Sequence, residues 1–425
     1  MVCFFKKAAL IFLLSILPLP LFSANALPQE RLSESDKKFL IKLEKDIFDY
    51  FWKEANPRNG LIKDSSRVGA PSSIAACGFG LTAICIGAER GWVDHDRAYN
   101  RVLKTLITFR DKVPNEHGFF YHFLDMRTGK RVWECEISSI DTALFLAGAL
   151  FAGEYFKGTE VEKVATALYR RVDWPWLMKN NLISMGWKPE TGIFPSYWDS
   201  YSEAMILYAL AIGSPTYPIK AKSWSTWKRS VAKYGDYELI YCSTGSLFTY
   251  QYSHAWIDFR KLDDQGINWF KNSIEATKAN RKFCIDQQNH YRTYGPNIWG
   301  LTASLGPSGY RGYGAKPGHS IHDGTICPYG AGGSIAFTPK LSISALRHMY
   351  NRYGNKVYKK YGFIDAFNVD KKWHTEECLG ISLGVTMLMI ENYRSKMVWK
   401  YFMKNRYIKK WVFLCFDSKD EDDKR

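Results

Sequence analysis

Apolar positions recur along this chain at helical spacing, in one segment after another. Residues 33–54, 73–89, 94–111, 138–156, 160–171, 201–212, 264–282, 340–353 and 376–396 either repeat apolar side chains every three or four positions or are apolar throughout. Asn56-Pro57-Arg58-Asn59-Gly60, Pro114-Asn115, Trp174-Pro175, Gly213-Ser214-Pro215 and Thr338-Pro339 stand between them as turn or helix-start signals. Alternation with period two is scarce. Tyr241–Tyr252, around Gly245, is the best candidate hairpin.

The helical segments are of two kinds. Segments 33–54 and 94–111 carry a charged face, as helices on the outside of a layered array do. Segments 138–156 and 376–396 are apolar nearly all round, the former with small residues at Ala143, Ala147, Gly148, Ala149 and Ala152. An alternation of amphipathic and buried helices predicts an all-α fold closed into a double ring, an α/α toroid. No linker divides the chain, so residues 27–416 read as one domain. The Gly-rich stretch 295–333 is long for a loop, and long loops in compact domains commonly carry function.

Both chain ends differ from this pattern. Lys6 and Lys7 precede an apolar run, Ala8–Phe22, broken by Pro18 and Pro20 and followed by Ala24-Asn25-Ala26. That order predicts a signal peptide over 1–26, hence export to the periplasm or the extracellular space. No integral membrane span is expected elsewhere. Residues 417–425 read as a solvated charged tail. The net charge of +16 is scattered, densest over Lys396–Lys410, and without a reading motif it argues against nucleic acid as partner. A monomer is expected. Of nine cysteines, Cys3 falls in the leader, and the rest never form C-x-x-C. Buried thiols are expected, with one or two disulfides open to an exported protein.

Candidate chemistry gathers just before the apolar helices. Trp133–Asp141, Phe194–Glu203 and Gln251–Arg260 each combine carboxylates with aromatic residues and a hydroxyl. If the inner helices start at one end of the ring, these loops share one mouth. Sugar cleavage needs such a mouth: one acid protonates the leaving oxygen, a second carboxylate handles water or the sugar carbon, and aromatic faces hold the rings. Plainer roles compete. Ser138-x-x-Asp141 and Ser200-x-x-Glu203 fit a helix-capping pattern, Asp258 and Arg260 could pair with each other, and Asp199 could be a turn acceptor. Gly78-x-Gly80-x-x-Ala83 lacks the preceding strand of a dinucleotide site, and Gly330–Ser334 lacks the lysine of a phosphate loop. His319-x-x-His322-Asp323 lacks a further obvious ligand. No metal and no cofactor are expected.

Seven blocks resemble the glucoamylase-like domain of glycoside hydrolase family 144: 137–148 (ISSIDTALFLAG), 194–215 (FPSYWDSYSEAMILYALAIGSP), 251–260 (QYSHAWIDFR), 299–304 (WGLTAS), 337–350 (FTPKLSISALRHMY), 361–368 (YGFIDAFN) and 389–395 (MIENYRS). The resemblance implies an (α/α)6 toroid and an oligo- or polysaccharide substrate, β-1,2-glucan, hydrolysed by an inverting route. It implies Glu203 as general acid and Glu134, Glu136 and Asp141 as candidate site carboxylates. Tyr197, Trp198, Gln251, His254, Arg260 and Trp299 would shape the sugar subsites, with Asp199 and Asp323 placed among the binding residues. One position departs. Leu379-Gly380-Ile381-Ser382-Leu383-Gly384-Val385 carries a serine at 382 where the family commonly has an acid. Neither Glu376 nor Glu377, five or six residues earlier, would fall on the equivalent face of a helix. A glycosyl-transferring enzyme acting on an envelope glucan, or a catalytically impaired glycan-binding protein, therefore stand as alternatives to a hydrolase.

Overall fold

A computed structural model of the protein describes residues 32–417. The leader read at 1–26 lies outside the described residues. So does the charged tail, except Asp417, which ends a last helical turn from Phe413.

Helices alternate between an outer and an inner layer, outer first. α1 (Glu34–Lys53) leads into α2 (Ile74–Glu89), α3 (His95–Asp111) into α4 (Ser139–Tyr155), and α5 (Glu160–Arg170) into α6 (Met205–Gly213). α7 (Ser223–Thr226) precedes α8 (Tyr252–Trp256), α9 (Trp269–Asp286) precedes α10 (Pro328–Gly332), and α11 (Pro339–Tyr353) precedes α12 (Gly380–Ser395). The single turn of α7 is too short to cover the inner ring. α14 (Arg406–Val412) packs on α6 instead, and α13 (Met397–Phe402) packs on α4 and α8. The result is an (α/α)6 toroid. α12 packs on both α1 and α2, and Ser65 bridges Leu379, so the last inner helix meets the first and the ring closes.

Composition decides the layer. α3 buries Ala98, Val102, Leu106 and Phe109 along one stripe and keeps its charges outside. α2 and α4 are covered on nearly every side, so they lack a polar face. They approach closely because Gly78 and Gly148 face each other; a Cβ on Gly148 would lie 1.9 Å from the Gly78 carbonyl oxygen. The Ser73 and Ser138 hydroxyls cap α2 and α4 by accepting the Ala76 and Asp141 N–H groups. The residues that lead into α2, α4, α6 and α12 act on one another's charges, so these inner helices start around one opening.

At the far end a buried ion network links α1, α2 and α12. Glu44 and Glu391 have no solvent exposure; Arg394 pairs with Glu44, and Arg90 grips Glu391 through both carboxylate oxygens. Burial, and then the neighbouring Glu391, push the Glu44 carboxyl well above the ordinary range. Removing the Arg394 guanidinium leaves the buried Glu44 carboxyl without its partner. Arg394→Met is expected to lower unfolding stability by about 3–5 kcal/mol, read from the midpoint of urea denaturation, while Arg394→Lys is expected to lower it less.

Several local expectations are corrected. The hairpin is not at 241–252 but at Val231–Tyr234 and Tyr237–Ile240, where Gly235 supplies the positive φ of a two-residue turn. Residues 247–250 form a 3₁₀ turn, and Gly245 is required beside it because a Cβ there would lie 1.9 Å from the Ala315 carbonyl oxygen. α6 begins at Met205, not 201, and α9 at Trp269, not 264. The stretch 295–333 holds a small hairpin, Ser304–Gly306 with Gly309–Arg311, and α10. Cys77, Cys85, Cys135, Cys242, Cys284, Cys327, Cys378 and Cys415 are all buried free thiols, so no disulfide forms among the described residues.

Candidate active site

The loops that enter the inner helices bring six carboxylates and one imidazole to the opening. Asp64 precedes α2, Glu136 and Asp141 flank the start of α4, Glu203 precedes α6, and Asp365 and Glu377 precede α12. His122, in the bend between the short strands Phe119–Phe120 and Phe123–Leu124, sits among them.

His122 organises one wall. Its Nδ1 lies 2.9 Å from Glu136 Oε1 and its Nε2 lies 3.5 Å from Asp141 Oδ2. Only the imidazolium can donate from both nitrogens. Burial opposes that charge, but Asp141, Glu136 and Asp64 outweigh it and raise the imidazole to about 9. In return the imidazolium holds the Glu136 carboxyl below its ordinary value against the effect of burial. Asp141 also accepts from the Ser138 hydroxyl at 2.5 Å while its N–H is capped by that oxygen. Capping and site membership therefore coexist at Asp141.

Glu203 is not spent on capping. The helix starts two residues after it, the N-cap position is Ala204, and no side chain caps that end. The turn is fixed instead through its backbone, since the Glu203 carbonyl accepts from Ser253 Oγ at 2.7 Å. The carboxyl remains available to the opening. Burial, helped by the charge of Asp141, pushes it up to about 7.

The remaining wall contains two further raised carboxyls. Asp365 is fully buried, accepts from the Leu305 N–H at 2.7 Å and from Ser382 Oγ at 2.9 Å, and is pushed up to about 7 by burial. Ser382 thus orients an aspartate that comes from another segment. Asp64 is half-buried and is raised by burial to about 6, with Asp141 and Glu377 adding to the shift and His122 opposing it. Its carbonyl accepts the Gly380 N–H at 2.7 Å, so this carboxylate arrives beside the first residues of α12. Tyr310, on the hairpin that Asp365 anchors, feels the charges of Asp365, Asp64 and Glu203. Tyr252 feels those of Glu203 and Asp141.

Of the residues singled out from sequence, Glu136, Asp141 and Glu203 come together here. Trp198 joins them, its Nε1 donating to Ser139 Oγ at 3.0 Å, and Tyr197 before it makes an isolated antiparallel bridge with Ser184. The rest lie elsewhere. Glu134 is exposed, with its carbonyl held by Arg131. Asp199 lies 3.6 Å from Lys228, and Asp323 pairs with Lys371 at 2.7 Å. Gln251 is buried and ties α8 to Gly330 and Ser334. His254 is sealed among Phe259, Phe270 and Phe337, bonded to Ser273, and lowered by burial to about 3. Trp299 has no exposure. Arg260 pairs with Asp258 over the Trp399 ring, as the plainer reading allowed, and lines a cavity of about 1130 Å³ at the opposite end of the ring. That cavity has one acid, Asp36, already paired with Arg347. It lacks a carboxylate pair for acid–base work. Gln251, His254, Trp299 and Arg260 are therefore corrected from sugar-contacting to structural positions.

Asp64, His122 and Asp365 were not singled out. Asp365 had a visible signal, a lone acid inside the apolar run Gly362–Phe367. Asp64 and His122 looked like ordinary loop residues. His319, His322 and Asp323 do not gather. Among the described residues, His122, Glu136 and Asp141 form the one His/acid group close enough for a metal, and its internal hydrogen bonds already occupy it.

Comparison with known proteins gives a consistent result. Residues 195–406 match a family model described as "Putative glucoamylase". A solved structure from Bacteroides uniformis, named in the same words, is 30% identical, covers 91% of this chain and 98% of its own, and superposes with a TM-score of 0.85. An endo-β-1,2-glucanase from Chitinophaga pinensis, solved with sophorotriose and glucose, is 28% identical over 91% of this chain and 99% of its own, with a TM-score of 0.84. An exo β-1,2-glucooligosaccharide sophorohydrolase (non-reducing end) from Parabacteroides distasonis is 30% identical over 89% of this chain. The chain spans 58% of the length of that relative.

Proposed function

Since the chain belongs to the glucoamylase-like family shared by these proteins, we propose that it is a glycoside hydrolase that cleaves β-1,2-glucan at the mouth of the toroid. One observation carries the reading: two half-buried carboxyls at the opening are raised to different values, Glu203 to about 7 and Asp64 to about 6. At near-neutral pH such a pair supplies a protonated acid and an ionised base together. Glu203 protonates the glycosidic oxygen. Asp64 accepts the proton of the attacking water, and Asp141, held by imidazolium His122, keeps the proton affinity of Glu203 high. Asp64 beside α12 takes over the duty that an acid at position 382 would have, and Ser382 serves by orienting Asp365.

The reading includes inversion, as a base that activates water rather than attacking the sugar requires. It also includes export, supported by Lys6, Lys7, the apolar run to Phe22 and Ala24-Asn25-Ala26. The test is to incubate the protein with linear β-1,2-glucan and follow fresh products by proton NMR. Short oligosaccharides appearing first as the α-anomer are expected, and Asp64→Asn is expected to lower kcat by about 10²-fold or more. Products longer than the starting chain would replace hydrolysis by transfer. Binding without any product would replace it by glycan binding.

A further inference from the structure

One aromatic side chain beside the opening is held in solvent by a braced loop. Trp133 is 63% exposed, although the chain buries most of its other tryptophans. Its indole leans on Phe123 at a centroid distance of 5.2 Å, and Phe123 stacks on the His122 ring at 3.9 Å. A row of three rings thus runs outward from the carboxylate wall. The backbone reaches this position at a conformational cost. Trp133 and Glu134 both adopt positive φ, 57° and 47°, and neither is glycine.

Arg131 holds the strained turn. Its Nε donates to the Cys135 carbonyl at 2.6 Å and its Nη2 to the Glu134 carbonyl at 2.7 Å. The same guanidinium grips both oxygens of Glu190, at 2.6 and 2.9 Å, and covers the Tyr121 ring. Arg131 thereby holds the Glu190 carboxyl down to about 2. The Phe123 and Val132 main chains close the base of the loop, with Cys135 Sγ against Phe123. No core packing explains so much bracing around an exposed indole. A broad, rigid apolar face with a polar edge, set beside a sugar site, suits a pyranose ring.

Resting on the reading of the opening as a glucan site, we propose that Trp133 is a glucosyl platform outside the catalytic pocket. It stacks a sugar ring of a longer β-glucan as the chain leaves the carboxylates, and so favours polymer over short oligosaccharide. Arg131 is a positioning residue that acts through Trp133.

The test compares Trp133→Ala and Arg131→Met with wild type on linear β-1,2-glucan and on sophorotriose. Both variants are expected to raise KM for the polymer about three- to tenfold, with kcat and the sophorotriose KM within twofold. Trp133→Phe is expected to restore part of the loss. Equal KM changes on both substrates, or none on the polymer, would overturn the proposal. If wild type cleaves neither substrate, the catalytic reading fails, and retardation in a gel containing β-1,2-glucan decides the platform separately. Weaker retardation of folded Trp133→Ala supports it, and retardation equal to wild type overturns it.

Discussion

Glu203→Gln is expected to lower kcat on β-1,2-glucan by about 10²–10⁴-fold, the range for loss of a positioned general acid, with little change in glucan binding. The amide keeps the size of the side chain and cannot give up a proton to the leaving oxygen. The pH profile follows from the same carboxyls. Activity should fall as pH rises through about 7, when Glu203 loses its proton, and as pH falls through about 6, when Asp64 gains one. The optimum is therefore narrow and slightly acid. In Asp64→Asn the acid limb should disappear from the residual activity while the alkaline limb persists.

Stability should move the other way. A carboxyl whose folded proton affinity is raised opposes folding once pH exceeds its unfolded value, and the full opposition is present above the folded value of about 7. Gln removes that opposition. Glu203→Gln should thus melt no lower than wild type at pH 8, and the two proteins should converge as pH falls below the ordinary carboxylate range. A variant that is both inactive and less stable at pH 8 would point to misfolding rather than lost chemistry.

The legible parts of the chain are those where local pattern and tertiary role coincide. α1, α3 and α4 begin and end within a residue or two of the periodic segments, because one face or the whole surface of each is apolar. α8 and α10 are five-residue inner elements, too short to leave a period in the sequence. The site follows the same division. Glu203 and Asp141 stand at the entrances of strongly apolar helices, which marks them. Asp64 matters because the ring closes next to it, with Ser65 and Leu379 some 300 positions apart in sequence. His254 shows the converse error. Its Trp- and acid-rich neighbourhood looked like a binding surface, but the burial that makes the imidazole neutral comes from Phe259, Phe270 and Phe337, which no local window joins. In sequence Ser382 stands out only as a missing acid; its contact with Asp365 gives the serine a task.

The second large effect is expected in the ring itself. Gly148→Val should abolish accumulation of folded protein, and Gly148→Ala should lower stability by more than about 3 kcal/mol, at or beyond the upper range for overpacking. The obstacle is backbone, not a side chain that can rotate away. A Cβ at 148 would meet the Gly78 carbonyl oxygen at 1.9 Å and its Cα at 2.8 Å. Relief requires α2 and α4 to part, and both are sealed in the core along nearly their whole lengths. Gly153, on the same helix, is the control. Its Cβ would find nothing nearer than 3.4 Å, so Gly153→Ala should be neutral or stabilising by up to about 1 kcal/mol through helix propensity. Thermal melts of Gly148→Ala and Gly153→Ala check the contrast; equal melting temperatures would refute the close crossing. The crossing also sets the chemistry. α2 follows Asp64, and Glu136 and Asp141 flank the start of α4, so partial separation in Gly148→Ala should pull Asp64 away from the His122 wall. Any Gly148→Ala protein that does fold is therefore expected to lose kcat in excess of its loss of stability.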